Sequence, residues 1–298
     1  MSKEKILFVG EDDGYDEMKQ FTSEGDSFRI PSHAKSGDLT TISLSGGKTK
    51  SFGYKVGNSS FVAGEIRDPD PTQNDEYPFS DMNRVLVHHT MRMSGIDADT
   101  KIVMCSGLPI KRYYSGLSLD KENISKKREN LLKNDVIAVD GTPLPKIIEH
   151  YVGSEGILAW IDLVIHRREG ELRMDRDLAQ SRIAIADLGG KTTDIALIDD
   201  GELDLQKSST IDAGMLDIKQ ALQERIYAKE RYKAPMAALH KAVRTGKVKI
   251  AGQEMDVSDM LKECQQSVLS RIHAELKRIL NDGFDVDQIM FVGGTAAA

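Results

Sequence analysis

The sequence predicts an α/β protein built from two similar halves, and two observations indicate this. Each half begins with an apolar strand that runs into an acidic residue and a glycine turn, first at Asp12-Asp13-Gly14 and again at Asp187-Leu188-Gly189-Gly190. A highly charged stretch, residues 167–181, separates two series of strand-like and helix-like patterns. We therefore expect one domain over residues 1–178 and a second over residues 179–298.

The composition indicates an ordinary soluble globular protein. Of the 298 residues, 40% are hydrophobic and 29% are charged, and the net charge of −7 argues against a broad surface for nonspecific nucleic-acid binding. The two cysteines, Cys105 and Cys264, lie far apart without metal-ligand spacing, which favours a reducing compartment. No apolar run approaches the ~20 residues of a membrane span, and the N-terminus lacks the pattern of a signal peptide. We expect a cytoplasmic protein that contacts neither nucleic acid directly nor a membrane.

The first half opens with a buried strand at residues 4–9. The acidic pair, Gly14 and Lys19 follow it in an order that can wrap an anion, although Asp-Asp-Gly is also a common turn. Residues 27–64 alternate short strand-like runs with Gly/Ser turns, and residues 65–79 are rich in proline and acid. Together they predict a small β-rich subdomain, inserted at about 27–79.

Strands and helices then alternate up to residue 166. Ser80 is the predicted N-cap of a helix that contains His88 and His89; no further ligand at metal spacing follows this pair. The helix at 122–133 carries a Lys/Arg run of the kind that usually forms a solvated face. The segment 153–166 is apolar almost all round and predicts a buried helix, with Glu155 in its first turn. A glutamate there is either functional or simply a favourable partner of the helix dipole.

The second half opens with a predicted β-hairpin at residues 182–198. Gly189 and Gly190 permit close approach of the backbone to a ligand, and the N–H groups of such a turn can bind an anion. Thr192 and Thr193 add hydroxyl donors, and Asp187 is placed to hold a hydrated divalent cation; an ordinary hairpin explains the pattern equally well. A third strand ends at Gly293-Gly294. Two halves with facing phosphate loops would form a nucleotide clamp.

The segments DDGYDEMK, SGLP, GSEGILAWIDL, ADLGGKTTDIALI and FVGGTA occur in the order found in actin-like ATPases, and the whole chain resembles that superfamily. Gly14-Tyr15 and Gly107-Leu108-Pro109 are most similar to the plasmid-segregation ParM or StbA family. The resemblance implies an actin-like (ribonuclease H-like) two-domain α/β fold. It also implies ATP or GTP with Mg²⁺, bound in a cleft between the duplicated halves.

Functional residues follow from the resemblance motif by motif. It implies that the first phosphate motif comprises Asp12, Asp13, Gly14, Tyr15 and Lys19. The second would comprise Asp187, Gly189, Gly190, Lys191, Thr192 and Thr193, and the nucleoside would be bound by Gly214, Gly293, Gly294 and Thr295. Glu155 matches the position that activates the attacking water. Asp187, together with Asp12 through water, would hold Mg²⁺.

Three departures from the family pattern bear on these expectations. Asp16 and Glu17 add negative charge near the first phosphate motif and should weaken binding unless their side chains point away or meet the metal. Lys191 replaces a frequent glycine and either compensates or reaches solvent. The sequence stops at Ala298, where family members usually continue into a segment that returns to domain I, so we expect that return to be missing.

The resemblance favours a filament-forming nucleotidase that hydrolyses ATP or GTP as it polymerises and moves plasmid DNA. Its implied partners are further copies of itself and a DNA-binding adaptor protein on the plasmid centromere. A nucleotide-binding module without turnover and a small-molecule kinase of the same superfamily are the alternatives.

Overall fold

A computed structural model describes residues 5–39, 50–168, 170–281 and 285–297. It is an α/β protein, as predicted. The helices are α1 Asp81–Met93, α2 Ile110–Tyr113, α3 Lys121–Leu132, α4 Glu155–Val164, α5 Arg176–Gln180, α6 Met215–Glu230, α7 Met236–Thr245 and α8 Ser258–Leu280. Short 3-10 helices occupy Tyr77–Phe79 and Gly294–Ala297.

The strands are β1 Ile6–Asp13, β2 Glu17–Thr22, β3 Ser27–Pro31, β4 Ala34–Ser36, β5 Ser51–Val56, β6 Ser59–Gly64, β7 Lys101–Leu108, β8 Tyr114–Ser115, β9 Ser118–Leu119, β10 Val136–Ala138, β11 Lys146–Ser154, β12 Ile165–Arg168, β13 Glu171–Met174, β14 Ile183–Leu188, β15 Thr193–Asp199, β16 Glu202–Leu203, β17 Ser209–Ile211, β18 Lys247–Ile250, β19 Gln253–Asp256 and β20 Gln288–Val292. Within the described ranges, no helix is both long and apolar enough to cross a membrane.

The chain divides into two compact units. The first consists of residues 1–107, 122–152 and 235–237, and the second of 108–121, 153–234 and 238–298. These units differ from the expected segments 1–178 and 179–298, because residues 108–121 and 153–178 lie with the second unit and residues 235–237 with the first. The cause is visible at α4, which packs on β14 and β15. The predicted charged linker also contains regular structure, namely the β12–β13 hairpin and α5.

The main sheet of the first unit has the order β11-β7-β1-β2-β3. A second sheet, β10-β5-β6-β4, forms the inserted subdomain. The subdomain therefore begins later than expected, since β3 pairs with β2 in the main sheet. It also includes β10, which lies outside the predicted range and pairs with β5. The strand-like run at 40–44 lies outside the described residues. Helix α1 contributes Val85, Leu86 and Met91 to a core shared by both sheets.

The second unit repeats the central arrangement of the first. The antiparallel pair β14–β15 corresponds to β1–β2, and β20 lies parallel to β14 as β7 lies parallel to β1. Residues of β14 are buried on both faces: Ile183 and Ile185 pack with α4 residues, whereas Ala184 packs with Ile279 of α8. Burial on both faces explains why this strand reads as a continuous apolar run.

His88 on α1 makes stability depend on pH. Its side chain is buried, and neither ring nitrogen has a hydrogen-bond partner in the described part of the chain. Burial, followed by the charge of Arg84, lowers the pKa of His88 from 6.5 to about 4, against a raising effect of Asp135. Between pH 6.5 and 4 the unfolded chain therefore binds a proton that the folded chain does not, so stability falls as the pH falls.

We expect this titration to be visible in the variant His88→Leu. Between pH 6.5 and 5, the wild type should lose on the order of 2 kcal/mol of unfolding free energy relative to the variant. Urea denaturation at several pH values measures the difference, with His273→Leu at an exposed position as the matched control. A difference between wild type and His88→Leu that does not change with pH would contradict the assignment.

Candidate functional site

The turn between β14 and β15 brings together most of the residues predicted in the second half. The hairpin pairs Asp187 with Asp194 and Leu188 with Thr193, and Gly189 N–H donates to the Thr192 carbonyl at 2.9 Å. The start of α6 lies directly against this turn: Met215 N–H donates to the Gly189 carbonyl at 3.2 Å, and Leu216 N–H donates to the Gly190 carbonyl at 2.9 Å. These bonds fix the direction of two consecutive peptide groups.

The direction of those carbonyls determines where the neighbouring N–H groups point. The peptide bonds of the described residues are all trans, so the N–H of such a peptide points opposite to its C=O. Because the carbonyls of Gly189 and Gly190 face α6, the N–H groups of Gly190 and Lys191 face away from it. Two adjacent N–H groups with a common direction are suited to binding an anion.

Gly214 and Gly293 are required for the close packing of this turn. A Cβ on Gly214 would lie 2.5 Å from the Gly190 carbonyl oxygen and 2.7 Å from that of Gly189. A Cβ on Gly293, whose φ is +91°, would lie 2.4 Å from both the Asp187 Oδ1 and the Leu188 carbonyl oxygen. Thr295, in the 3-10 helix that begins at Gly294, donates its hydroxyl to the Gly189 carbonyl at 2.7 Å. The structure thus assembles Gly189, Gly190, Gly214 and the closing Gly-Gly-Thr segment at one place.

The two threonines of the turn differ from the expectation that both hydroxyls face a phosphate. Thr193 is fully buried and donates its hydroxyl to the Ala213 carbonyl at 2.7 Å. The Thr192 hydroxyl lies 3.5 Å from Asp194 Oδ2. Thr193 therefore supports the backbone beside Gly214. Lys191, which lies between the glycines and the threonines of the turn, is half-buried.

Asp194 is a residue to which the sequence assigned no role. Its buried carboxylate accepts hydrogen bonds from Ile110 N–H at 2.8 Å and from the Thr210 hydroxyl, so it joins the start of α2 to β15 and β17. Burial raises the pKa of Asp194 to about 6, although those hydrogen bonds and the charge of Lys111 act in the opposite direction. In the sequence, Asp194 is the second aspartate of ADLGGKTTD. Its neighbours in the sequence do not distinguish it from a surface aspartate.

Glu155 is the first residue of α4, within the same unit as the β14–β15 hairpin. The helix start approaches β15 so closely that a Cβ on Gly156 would lie 2.8 Å from the Ala196 Cβ. Glu155 is half-buried, whereas the preceding Ser154 is almost fully buried. Gly156 therefore permits the close approach of the first turn of α4 to β15.

The first predicted motif lies between β1 and β2 of the first unit, and its two aspartates have opposite environments. Asp12 is exposed and forms an ion pair with Lys19 at 2.5 Å, its register partner on β2. Asp13 faces the interior, where it is paired with the buried Lys127 and accepts a 2.6 Å hydrogen bond from Asn83. Asp13 therefore differs from the expectation that it contacts phosphate. Tyr15 packs on Tyr77 with ring centroids 5.2 Å apart, and Asp16 and Glu17 are half-buried.

The described residues could hold Mg²⁺ only together with oxygen ligands from a bound nucleotide. Among the described residues there is no group of three or more His, Cys, Asp or Glu side chains that could hold a metal. Mg²⁺, however, is usually held by one or two carboxylates together with water and substrate phosphates. The half-buried Asp187, at the end of β14 beside the glycine turn, supplies one such carboxylate.

Comparison with known proteins identifies similar families for both parts of the chain. Residues 7–160 match the model of the N-terminal region of the plasmid segregation protein ParM, and residues 185–298 match that of the C-terminal region of the archaeal actin homologue MreB-like. No curated protein sequence matches the chain significantly.

Solved structures show the same likeness. The archaeal actin homologue Ta0583 has a TM-score of 0.72 and 18% identity, covering 98% of this chain and 88% of that one. Its complex with ADP has a TM-score of 0.71 and 19% identity, covering 97% and 87%. A subunit of the 15-stranded ParM filament from Clostridium botulinum has a TM-score of 0.68 and 19% identity, covering 98% and 90%. At these identities the similarity establishes a shared fold.

Proposed function

Because this chain belongs to the actin-like ParM/StbA family and has the actin-like fold, we propose that it is a nucleotide-dependent filament protein. It binds ATP or GTP with Mg²⁺, polymerises with copies of itself and hydrolyses the nucleotide to weaken the polymer. Through a DNA-binding adaptor, this cycle moves plasmid DNA apart. The complex of the archaeal actin homologue with ADP supports the nucleotide, and the ParM filament supports self-association.

The observation that carries this proposal is the fixed backbone of the glycine turn. The carbonyls of Gly189 and Gly190 are bound by α6 and Thr295, so the next two N–H groups share one direction without any rearrangement. Donors held in advance stabilise phosphate charge at no reorganisation cost, which is the main contribution a protein makes to phosphoryl transfer.

The remaining residues have complementary roles in this proposal. Lys19 is partly exposed, and its ion pair with Asp12 is of a type that contributes about 0–1 kcal/mol, so a phosphate can compete for the ammonium group. Asp187 would hold Mg²⁺, which neutralises phosphate charge when bound. Glu155 orients the attacking water and accepts its proton.

Sedimentation tests this function directly. We expect the wild type to pellet with Mg-ATP or Mg-GTP and to return to the supernatant as phosphate is released. Gly214→Ala should abolish nucleotide-dependent pelleting, since its Cβ would lie 2.5 Å from the Gly190 oxygen. Gly10→Ala is the matched control, because the nearest atom to its Cβ would be 3.9 Å away.

Three other results would each overturn the filament proposal. Phosphate transfer only after addition of a sugar or acid would indicate a kinase. Nucleotide binding without pelleting or turnover would indicate a binding module. Pelleting that is independent of nucleotide would indicate aggregation.

A further inference from the structure

The turn after β1 is held from the inside by two buried hydroxyl groups. Ser32, which follows β3, donates its hydroxyl to the Gly14 carbonyl at 2.6 Å. Thr72, in the proline- and acid-rich loop, donates its hydroxyl to the Tyr15 carbonyl at 2.5 Å. The Ser32 N–H also donates to the Asp16 carbonyl at 2.9 Å. Three consecutive carbonyls of the turn are therefore bound by residues far away in sequence.

Thr72 stands out from its surroundings. It is 6% exposed, whereas its neighbours Pro71 and Gln73 are exposed. Ser32 is 3% exposed. Tyr77, at the end of the same loop, is fully buried, and its hydroxyl lies 3.4 Å from the Gly14 carbonyl while its ring packs on Tyr15. The loop at 65–79 thus turns polar groups inward at the positions that meet the turn after β1.

These contacts set the direction of the peptide groups, as in the glycine turn of the second unit. Since the peptides are trans, the N–H of Tyr15 points away from the Ser32 hydroxyl, and the N–H of Asp16 points away from the Thr72 hydroxyl. In both turns two successive carbonyls are bound by groups from outside the turn, there by α6 and Thr295, here by Ser32 and Thr72. The two turns share this arrangement although the groups that bind the carbonyls are unrelated.

We propose that Ser32 and Thr72 are positioning residues that aim the N–H groups of Tyr15 and Asp16 at the phosphates of a bound nucleotide. The inference rests on the proposed function and extends it to Ser32 and Thr72, two residues that contact the turn from positions before β4 and after β6. It also assigns the acidic residue Asp16 a backbone role, in which its N–H rather than its carboxylate meets the anion.

Binding of a fluorescent Mg-ATP or Mg-GTP analogue to single variants tests the proposal. We expect Ser32→Ala and Thr72→Val each to raise Kd about 3- to 10-fold, and the double variant to raise it further, because each change removes one hydrogen bond that orients the turn. Ser32→Thr and Thr72→Ser keep a hydroxyl at these positions and should bind the nucleotide with an affinity close to that of the wild type. Ser27→Ala and Gln73→Ala, at neighbouring exposed positions, are the matched controls.

Hydrogen exchange separates positioning from general stability. All Kd values are taken far below the unfolding temperature, where a purely structural role leaves affinity unchanged. Faster exchange at residues 14–17 in Ser32→Ala and Thr72→Val, with raised Kd, supports the inference. Wild-type binding that these variants leave unaltered overturns the inference alone, whereas a wild type that binds neither nucleotide overturns the proposed function and the inference with it.

Discussion

Replacing Lys127 by methionine should lower the unfolding free energy by about 3–5 kcal/mol, the cost typical of leaving a buried charge without its partner. The Lys127 and Asp13 side chains are only 1% and 4% exposed. Asn83 donates to the same Asp13 oxygen, and its own side-chain oxygen lies 3.5 Å from the Lys127 Nζ. The amide of Asn83 has no charge, so among the described contacts of Asp13 no buried cation remains when Lys127 is removed.

Urea denaturation of single and double variants measures this effect. Asp13→Asn combined with Lys127→Met should be far less destabilised than the sum of the two single changes, since it leaves no buried charge. Lys126→Met is the matched control, because Lys126 pairs with Glu122 at the surface and its loss should cost at most about 0.5 kcal/mol. Equal effects at positions 126 and 127, or strict additivity of the double variant, would show that the ion pair is not the source of stability.

Lys127 also illustrates the limit of reading a charged helix from its sequence. The Lys/Arg run at 122–133 predicts a solvated face, and α3 does lie at that place, yet Lys127 is buried. Its partner Asp13 is 114 residues away, so no local pattern reveals the pair. Leu7, Val9, Glu11 and Asp13 all lie on the buried face of β1. The sequence does not reveal this alternation, because Ile6 and Phe8 on the exposed face are apolar as well.

Elements with a local cause were predicted more successfully than those with a distant one. The hairpin at 182–198 was predicted because two buried strands flank a glycine turn, and Ser80 was recognised as the cap of α1, where it accepts from Asn83 N–H. Asp194, Ser32 and Thr72 were missed, since each acts through atoms at least 16 residues away. The charged segment 167–181 was misread although its pairing is local: β12 pairs with β13, and all the β13 side chains are exposed, including Leu172 and Met174, so the segment has the composition of a linker.

Glu155→Gln should lower nucleotide hydrolysis by about 10²-fold or more while leaving nucleotide binding nearly unchanged. A glutamine keeps the size of the side chain but cannot accept a proton from water, and a positioned general base contributes about 10²–10⁴-fold. The rigid start of α4, where Gly156 packs on Ala196, keeps the backbone at position 155 in place in the variant. Phosphate release in single turnover and the affinity for the Mg-nucleotide are the two quantities to measure.

Stability distinguishes this role from that of a simple helix-dipole partner. An acidic residue in the first turn contributes about 0.3–1 kcal/mol to stability, so a dipole partner would change the unfolding free energy by that amount and leave hydrolysis intact. Asp162→Asn, at an exposed position on the same helix, controls for loss of charge. Unchanged hydrolysis would remove Glu155 from the reaction, and loss of binding together with hydrolysis would make it a ligand-holding residue instead. A slow variant that still pellets with nucleotide would, in addition, form polymers that persist, because hydrolysis is the step that weakens them.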